Sequence, residues 1–375
     1  MVEQQLLQII KSELNGAPPP EMTDDWEGLA DYARKQGVLP YVAKYAAEIK
    51  ENKPPERVGM ALKQSLLADQ VCHEQQMYAV RELQATLEKA GVDNLAFKGA
   101  ATKFRYPDPL LRPMNDIDFL YKPEQDKQLK AVMKALSYSE PSEGRKNDKY
   151  ERKPFVCIEA HRQMVSGDSP YASYCAGAWV RARRKAGCAH IYEMTIEDEL
   201  IFNLIHLAGH LIQGGAGVRF IADVYVYDRI QLNRKYLHDE LGKIGLLQLY
   251  ENVTALANCW FGDGITTETS EKLGAFVLAG GTFGTAERAA ALAANRGRAR
   301  YFLNQCFPSC AEMLSMFPWL KGKKLLLPYA WVLRGTRSFL YRREHLKSIF
   351  RLARTGNGEQ GRELEQFYRE IGLHV

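Results

Sequence analysis

The chain has 375 residues, 46% of them hydrophobic and 25% charged, with a net charge of +5. This is the composition of a soluble globular protein, long enough for two domains and a helical extension. The opening MVEQQLLQIIKSELNG has no basic stretch leading into an apolar core, and no run nears the ~20 apolar residues of a membrane span, so neither a signal peptide nor a transmembrane helix is expected. The seven cysteines are an odd number and scattered. Cys306 and Cys310 sit four apart with no second Cys/His pair at finger spacing, so free thiols in a reducing cytoplasm are expected rather than disulfides or zinc.

In chain order, residues 1–90 read as an N-terminal helical region, closing with a long helix from Glu56 to Ala90. Met77, Val80, Leu83 and Leu87 recur there at helical spacing, and Gly91 is placed to end it. Residues 91–190 read as an α/β core. Short strand-like runs cover 94–98, 116–121 and 153–161, with a helical EQDKQLKAVMKALS between the last two. A Gly/Ser/Tyr-rich connection with a basic cluster (Arg181, Arg183, Arg184, Lys185) follows. Thr195 with Asp198 resembles an N-cap signal, and 191–375 reads as a C-terminal helical domain. Charge gathers at the end: residues 321–375 hold twelve Lys/Arg against five Glu, a balance of +7 that leaves −2 for the rest. Such a tail suits contact with a polyanion or simply keeps a solvated helix pair soluble.

The chemistry concentrates in 94-NLAFKGAATKFRYPDPLLRPMNDIDFLYKP-123. Side chains alternate along a strand, so Asp116 and Asp118 share one face. Two carboxylates this close in a half-buried strand repel each other and resist desolvation, and a divalent cation between them relieves both costs. Upstream, an apolar run ends at Lys98-Gly99-Ala100 before a helix-compatible stretch, an arrangement that lets backbone N–H groups approach a phosphate. Downstream, Phe155, Cys157, Glu159 and His161 share one face of a third strand and supply a third acid. Three carboxylates opposite a phosphate-binding turn suit a two-metal site.

This order of elements resembles the DNA polymerase beta-like nucleotidyltransferase superfamily, and more closely a bacterial family labelled uncharacterised nucleotidyltransferases. The matching residues are Phe97-Lys98-Gly99-Ala100, Tyr106-Pro107-Asp108, Arg112-Pro113-Met114, Asp116-Ile117-Asp118 and Glu159-Ala160-His161. His206, His210, Arg219, Asp223, FPSCAEMLSMFP (307–318) and LLLPYAWVLR (325–334) also match, so the likeness runs roughly from Asp25 to Arg334. It implies an α+β fold, with a minimal mixed nucleotidyltransferase sheet, flanking helices, and N-terminal and C-terminal helical regions. It also implies transfer of a nucleoside monophosphate from an NTP, with Mg²⁺ or Mn²⁺ held by Asp116, Asp118 and Glu159. Lys98, Gly99, Ala100 and Arg112 would bind the nucleotide. The wider superfamily has Gly-Ser where this chain has Gly99-Ala100, which leaves Lys98 and Arg112 to compensate as cations. The acceptor is open: a protein side chain, a sugar, another small molecule or an RNA end.

In EDELIFNLIHLAGHLI (197–212) the apolar residues take one side, while Glu199, Asn203, His206 and His210 fall together on the other. That polar stripe faces solvent, or supports the α/β unit and the acceptor together with His161, or places His206 and His210 on a metal. Arg219 and Asp223, four apart, read as a helical ion pair or, with the histidines, as further support for the site and the acceptor. Two alternatives to transfer stand beside it: a nucleotide-binding module without turnover, and a helix-borne metallohydrolase using the His pair.

Overall fold

Four amphipathic helices come first: α1 (Val2–Asn15), α2 (Trp26–Gln36), α3 (Leu39–Glu48) and α4 (Glu56–Lys89). The computed structural model describes residues 2–18, 20, 25–144, 146–281, 323–341 and 358–374, with 288, 307, 313, 317 and 320. In α1 the apolar spacing turns Leu6, Ile9, Ile10 and Leu14 inward. α4 ends as the sequence leads one to expect. Gly91 takes φ 70°, and the N–H groups of Gly91 and Val92 return to the Glu88 and Leu87 carbonyls. Its first turns bury Val58 and Leu62, and its last bury Met77, Ala79, Leu83 and Leu87.

The α/β unit follows: β1 (Asn94–Phe97), the single-turn α5 (Gly99–Thr102), β2 (Ile117–Tyr121), α6 (Asp126–Ala135), β3 (Ser142–Glu143), β4 (Asn147–Arg152) and β5 (Val156–His161). Two short helices, α7 (Ala172–Ala176) and α8 (Ala178–Arg181), lead to β6 (Arg183–Arg184) and β7 (Ile191–Glu193). These strands make a mixed seven-stranded sheet in the order β3-β4-β5-β2-β1-β7-β6. β2 runs antiparallel to β1 and parallel to β5, with α6 as the crossover. β4 was not foreseen. Its sequence NDKYER is polar, yet it alternates, burying Asp148 and Tyr150, and it forms a hairpin with β5. The expected strand 153–161 therefore starts three residues late.

Thr195 accepts from the Asp198 N–H and opens α9 (Ile196–Ile212). Then come α10 (Val218–Asp228), α11 (Arg234–Lys243), α12 (Leu247–Phe261) and α13 (Glu268–Gly280), and later the helices Leu327–Tyr341 and Gly358–Glu370. The fold is thus α+β, a sheet with flanking helices between N-terminal and C-terminal helical regions. One core joins α1–α3 to α9–α13 through residues such as Leu6, Trp26, Leu204, Val224 and Leu256. A second lies between the sheet, α6 and the end of α4, built on Leu83, Leu87, Phe119 and Ile158. Among the described residues no helix is long and apolar enough to cross a membrane. The described cysteines (72, 157, 175, 188 and 259) are free thiols. Cys306 and Cys310, most of FPSCAEMLSMFP, and residues 342–357 of the basic tail lie outside the described residues.

Candidate active site

The turn from β1 into α5 is built by two different constraints. Lys98 adopts φ 51° and ψ −128°, a strained conformation for a residue with a side chain. Gly99 needs no unusual φ; it is there for space, since a Cβ would lie 2.8 Å from Met114 Cγ and 3.3 Å from an Arg112 terminal nitrogen. Gly99 and Ala100 are the first residues of α5, where backbone N–H groups have no acceptor within the helix. The twist at Lys98 sends its side chain over the sheet, where Nζ donates to Asp118 Oδ1 at 2.6 Å.

Asp118 lies directly opposite Glu159 in the parallel β2–β5 register, so the two carboxylates share a sheet face. His161, one turn of the pleat beyond Glu159, points the same way. Its Nε2 is 2.7 Å from Asp118 Oδ1 and 3.3 Å from Glu159 Oε2. Both neighbours are acceptors when ionised, so Nε2 is the nitrogen that carries the proton. Nδ1 is then left buried without a hydrogen-bond partner. Ligand atoms of Asp118, Glu159 and His161 all lie within 4.8 Å of one another, and Asp116 stands outside that trio.

The carboxylates differ in their electrostatics. Burial pushes Asp118 upward, but the hydrogen bonds and charges of His161 and Lys98 outweigh it and hold its pKa below the usual value. The His161 hydrogen bond likewise lowers Glu159. Asp116 is raised, first by burial and then by the charges of Asp118 and Glu159. A group of acids in which one still lacks compensating charge fits a hard, oxygen-seeking divalent cation. Asp118 offers such an ion its Oδ2, because Lys98 and His161 both bind Oδ1.

Much of the remaining motif holds the site in place. Arg112 is buried and forms a two-pronged pair with Asp223, Nε to Oδ1 and Nη2 to Oδ2, each at 2.9 Å. The Tyr106 hydroxyl donates to the same Asp223 Oδ1 at 2.7 Å. This corrects one expectation, the ion pair within the helix. Asp223 pairs with Arg112 across 111 residues rather than with Arg219 on its own helix, and the guanidinium of Arg112 is turned to a carboxylate. Asp108 caps the Leu110 N–H and pairs with Lys44, while the Met114 carbonyl accepts from Gln76 on α4.

The polar stripe of α9 packs on the α/β unit instead of facing water. Glu199 accepts a two-pronged contact from Arg105 and a bond from the Tyr227 hydroxyl, and Asn203 donates to Thr102 Oγ1. The Nε2 atoms of His206 and His210 lie 3.1 Å apart. Burial, followed by surrounding cations, lowers both pKa values, His210 to about 4. Both imidazoles are neutral at pH 7. They line a cavity of about 600 Å³ with Lys98, Lys146 and the segment Met164–Tyr171. Neither Lys146 nor that segment was singled out from sequence. Lys146 sits in a polar run with no motif around it, and only the β4–β5 hairpin carries it to the cavity.

A family model described as uncharacterised nucleotidyltransferase matches residues 23–262, well over half of the chain. No curated protein and no solved structure matches.

Proposed function

Because the chain belongs to this uncharacterised nucleotidyltransferase family, we propose that it moves a nucleoside monophosphate from an NTP to a hydroxyl or phosphate oxygen of an acceptor. The acceptor oxygen bonds to the α-phosphorus, the bridging α–β P–O bond breaks, and pyrophosphate leaves. The observation that carries this reading is the pairing of Asp118 with Glu159 on one sheet face, with the Lys98–Gly99 turn directly beside it.

Asp116, Asp118 and Glu159 would hold Mg²⁺ or Mn²⁺. When bound, the ions neutralise the triphosphate and lower the pKa of the attacking hydroxyl. The N–H groups at Gly99 and Ala100 orient the phosphates. Lys98 exchanges its carboxylate contact for a phosphate oxygen as the nucleotide enters. Glu159, its pKa lowered by the His161 hydrogen bond and its side chain 23% exposed, would take the acceptor's proton. His161 holds Asp118 and Glu159 at a fixed spacing.

The test is incubation of the protein with NTPs labelled at the α-phosphate, Mg²⁺ and a cell extract. Label is expected in a protein, sugar, other small molecule or RNA, with pyrophosphate formed in equal amount. Absence of both for all four NTPs defeats the proposal in favour of a binding module without turnover. A metallohydrolase on the His pair has less support. Zinc sites take at least three protein ligands, and the trio found among the described residues omits both histidines.

For His206 and His210 the expectation is a role at the acceptor. The double His206→Ala/His210→Ala variant should lose turnover or acceptor affinity by ~10-fold or more while retaining its divalent metal. Steady-state kinetics with metal analysis checks this, and a wild-type rate in the double variant would refute it.

A further inference from the structure

Lys98 and Lys146 line the cavity beside the carboxylates together with one acid, Asp168, and Lys98 is paired with Asp118. Arg219 is the second residue of α10. The turn before it, Gly214–Gly217, has φ of 130° at Gly214 and 135° at Gly215, values suited to glycine alone. The chain thereby reverses tightly enough for Phe220 to pack with ring centres 4.8 Å from His210 and 5.6 Å from His206. The Arg219 guanidinium carbon lies 5.3 Å from the ring centre of this same Phe220. Its Nε is buried without a hydrogen-bond partner. Among the described residues no carboxylate forms a salt bridge with it. Burial and the charge of Arg112 push its pKa down to about 10.

Lys146 stands on the cavity wall with Lys98. It too makes no salt bridge among the described residues, and burial together with the Lys98 charge lowers its pKa. The charges of Arg219, Lys98 and Lys146 all bear on His210, so the fields of three cations converge at one point. A charge that is desolvated and unpaired in the free protein is costly, and the cost is recovered when a ligand brings the counter-charge. A forked guanidinium beside an ammonium is the donor set that polyphosphate oxygens match.

We propose that Lys146 on the cavity wall and Arg219, held against Phe220 beside the histidine pair, are phosphate-binding cations that grip the anionic tail of the nucleotide. Arg112, the arginine of the central motif, is taken up by Asp223. The assignment rests on the transfer reading for the identity of the ligand, though not for the anion site itself.

The experiment titrates the full chain with inorganic pyrophosphate and tripolyphosphate in EDTA, by calorimetry, alongside thermal melts. Arg219→Met and Lys146→Met should each weaken binding by roughly 10- to 100-fold, the span of a lost charge-assisted contact. Arg219→Lys should recover part of that loss. Removing a half-buried charge that has no salt-bridge partner among the described residues should leave the melting temperature of Arg219→Met level or raise it. Unchanged pyrophosphate affinity in both Met variants overturns the proposal. So does a wild-type protein that binds neither anion at millimolar concentration. So does a lowered melting temperature in Arg219→Met with unaltered affinity in Lys146→Met, which would mark the arginine as structural. Anion binding that depends on these two residues, with no product from any NTP, would keep the anion site and remove the transfer reading.

Discussion

Replacing Asp118 by Asn is expected to lower nucleotide transfer by at least ~10³-fold, because the charge it removes stabilises the transition state by several kcal/mol. The same change should also destabilise the fold. Asp118 is almost fully buried, and its Oδ1 accepts from both Lys98 and His161. Its pKa is held below the usual value, so ionisation favours the folded state. That contribution is present above the unfolded carboxyl pKa of about 3.9 and is lost as pH falls through the folded value. At pH 7 the Asn variant should therefore lose about 1–3 kcal/mol. Asp116→Asn should behave in the opposite way. Asp116 is raised by burial and by its acidic neighbours, so at pH 7 its charge costs stability, and the amide should melt at the same or a higher temperature. Paired melts and rate measurements decide the matter. Full turnover in Asp118→Asn ends the assignment, and matching stability changes at both positions would contradict the split between the two acids.

Arg112→Ala is expected to destabilise the protein by about 3–5 kcal/mol, the usual cost of stranding one member of a buried ion pair. Asp223 is 3% exposed and would keep only the Tyr106 hydroxyl. The pair joins the segment between α5 and β2 to α10, so its loss loosens the seam between sheet and helices. Arg112→Met combined with Asp223→Leu, which removes both charges, should recover most of the loss. Chemical denaturation of the two singles and the double gives the coupling directly. Additive losses would mean that the pair contributes nothing beyond its separate residues.

The alignment of Glu159 with His161 was legible because strand alternation is a local rule, whereas Asp116 falls one residue before β2 and outside the Asp118–Glu159–His161 trio. The trio's meeting across β2 and β5 needed the parallel register, which the α6 crossover makes natural. The end of α4 was legible for the same reason, since Gly91 closes it through hydrogen bonds to residues three and five positions back. Partners far apart in sequence were not legible. Arg112 finds Asp223 on α10, and Arg105 finds Glu199 on α9, through packing that no short window contains. β4 was hidden because its burial rests on Asp148, which pairs with Arg162, and on the Tyr150 ring, in an otherwise polar run. The glycine of the turn was recognised, but the strained residue is Lys98, and nothing in the composition marks a lysine for positive φ.

The buried pair Arg112–Asp223 and the half-buried pair Arg105–Glu199 also bear on how molecules enter and leave. They lie one on each of the two helices, α10 and α9, that face the sheet, and parting the two layers would expose both at once. Traffic through the cavity therefore falls to the remaining wall, residues 165–171. The hydrogen bonds described there are local: Ser169 N–H to the Ser166 carbonyl, Ala172 N–H to the Ser169 carbonyl, and Tyr171 N–H to Ser169 Oγ. Among the described residues no ion pair ties this stretch down. Val165 and Tyr171 pack against the main core, so displacing this stretch gives up that local packing rather than parting the two layers.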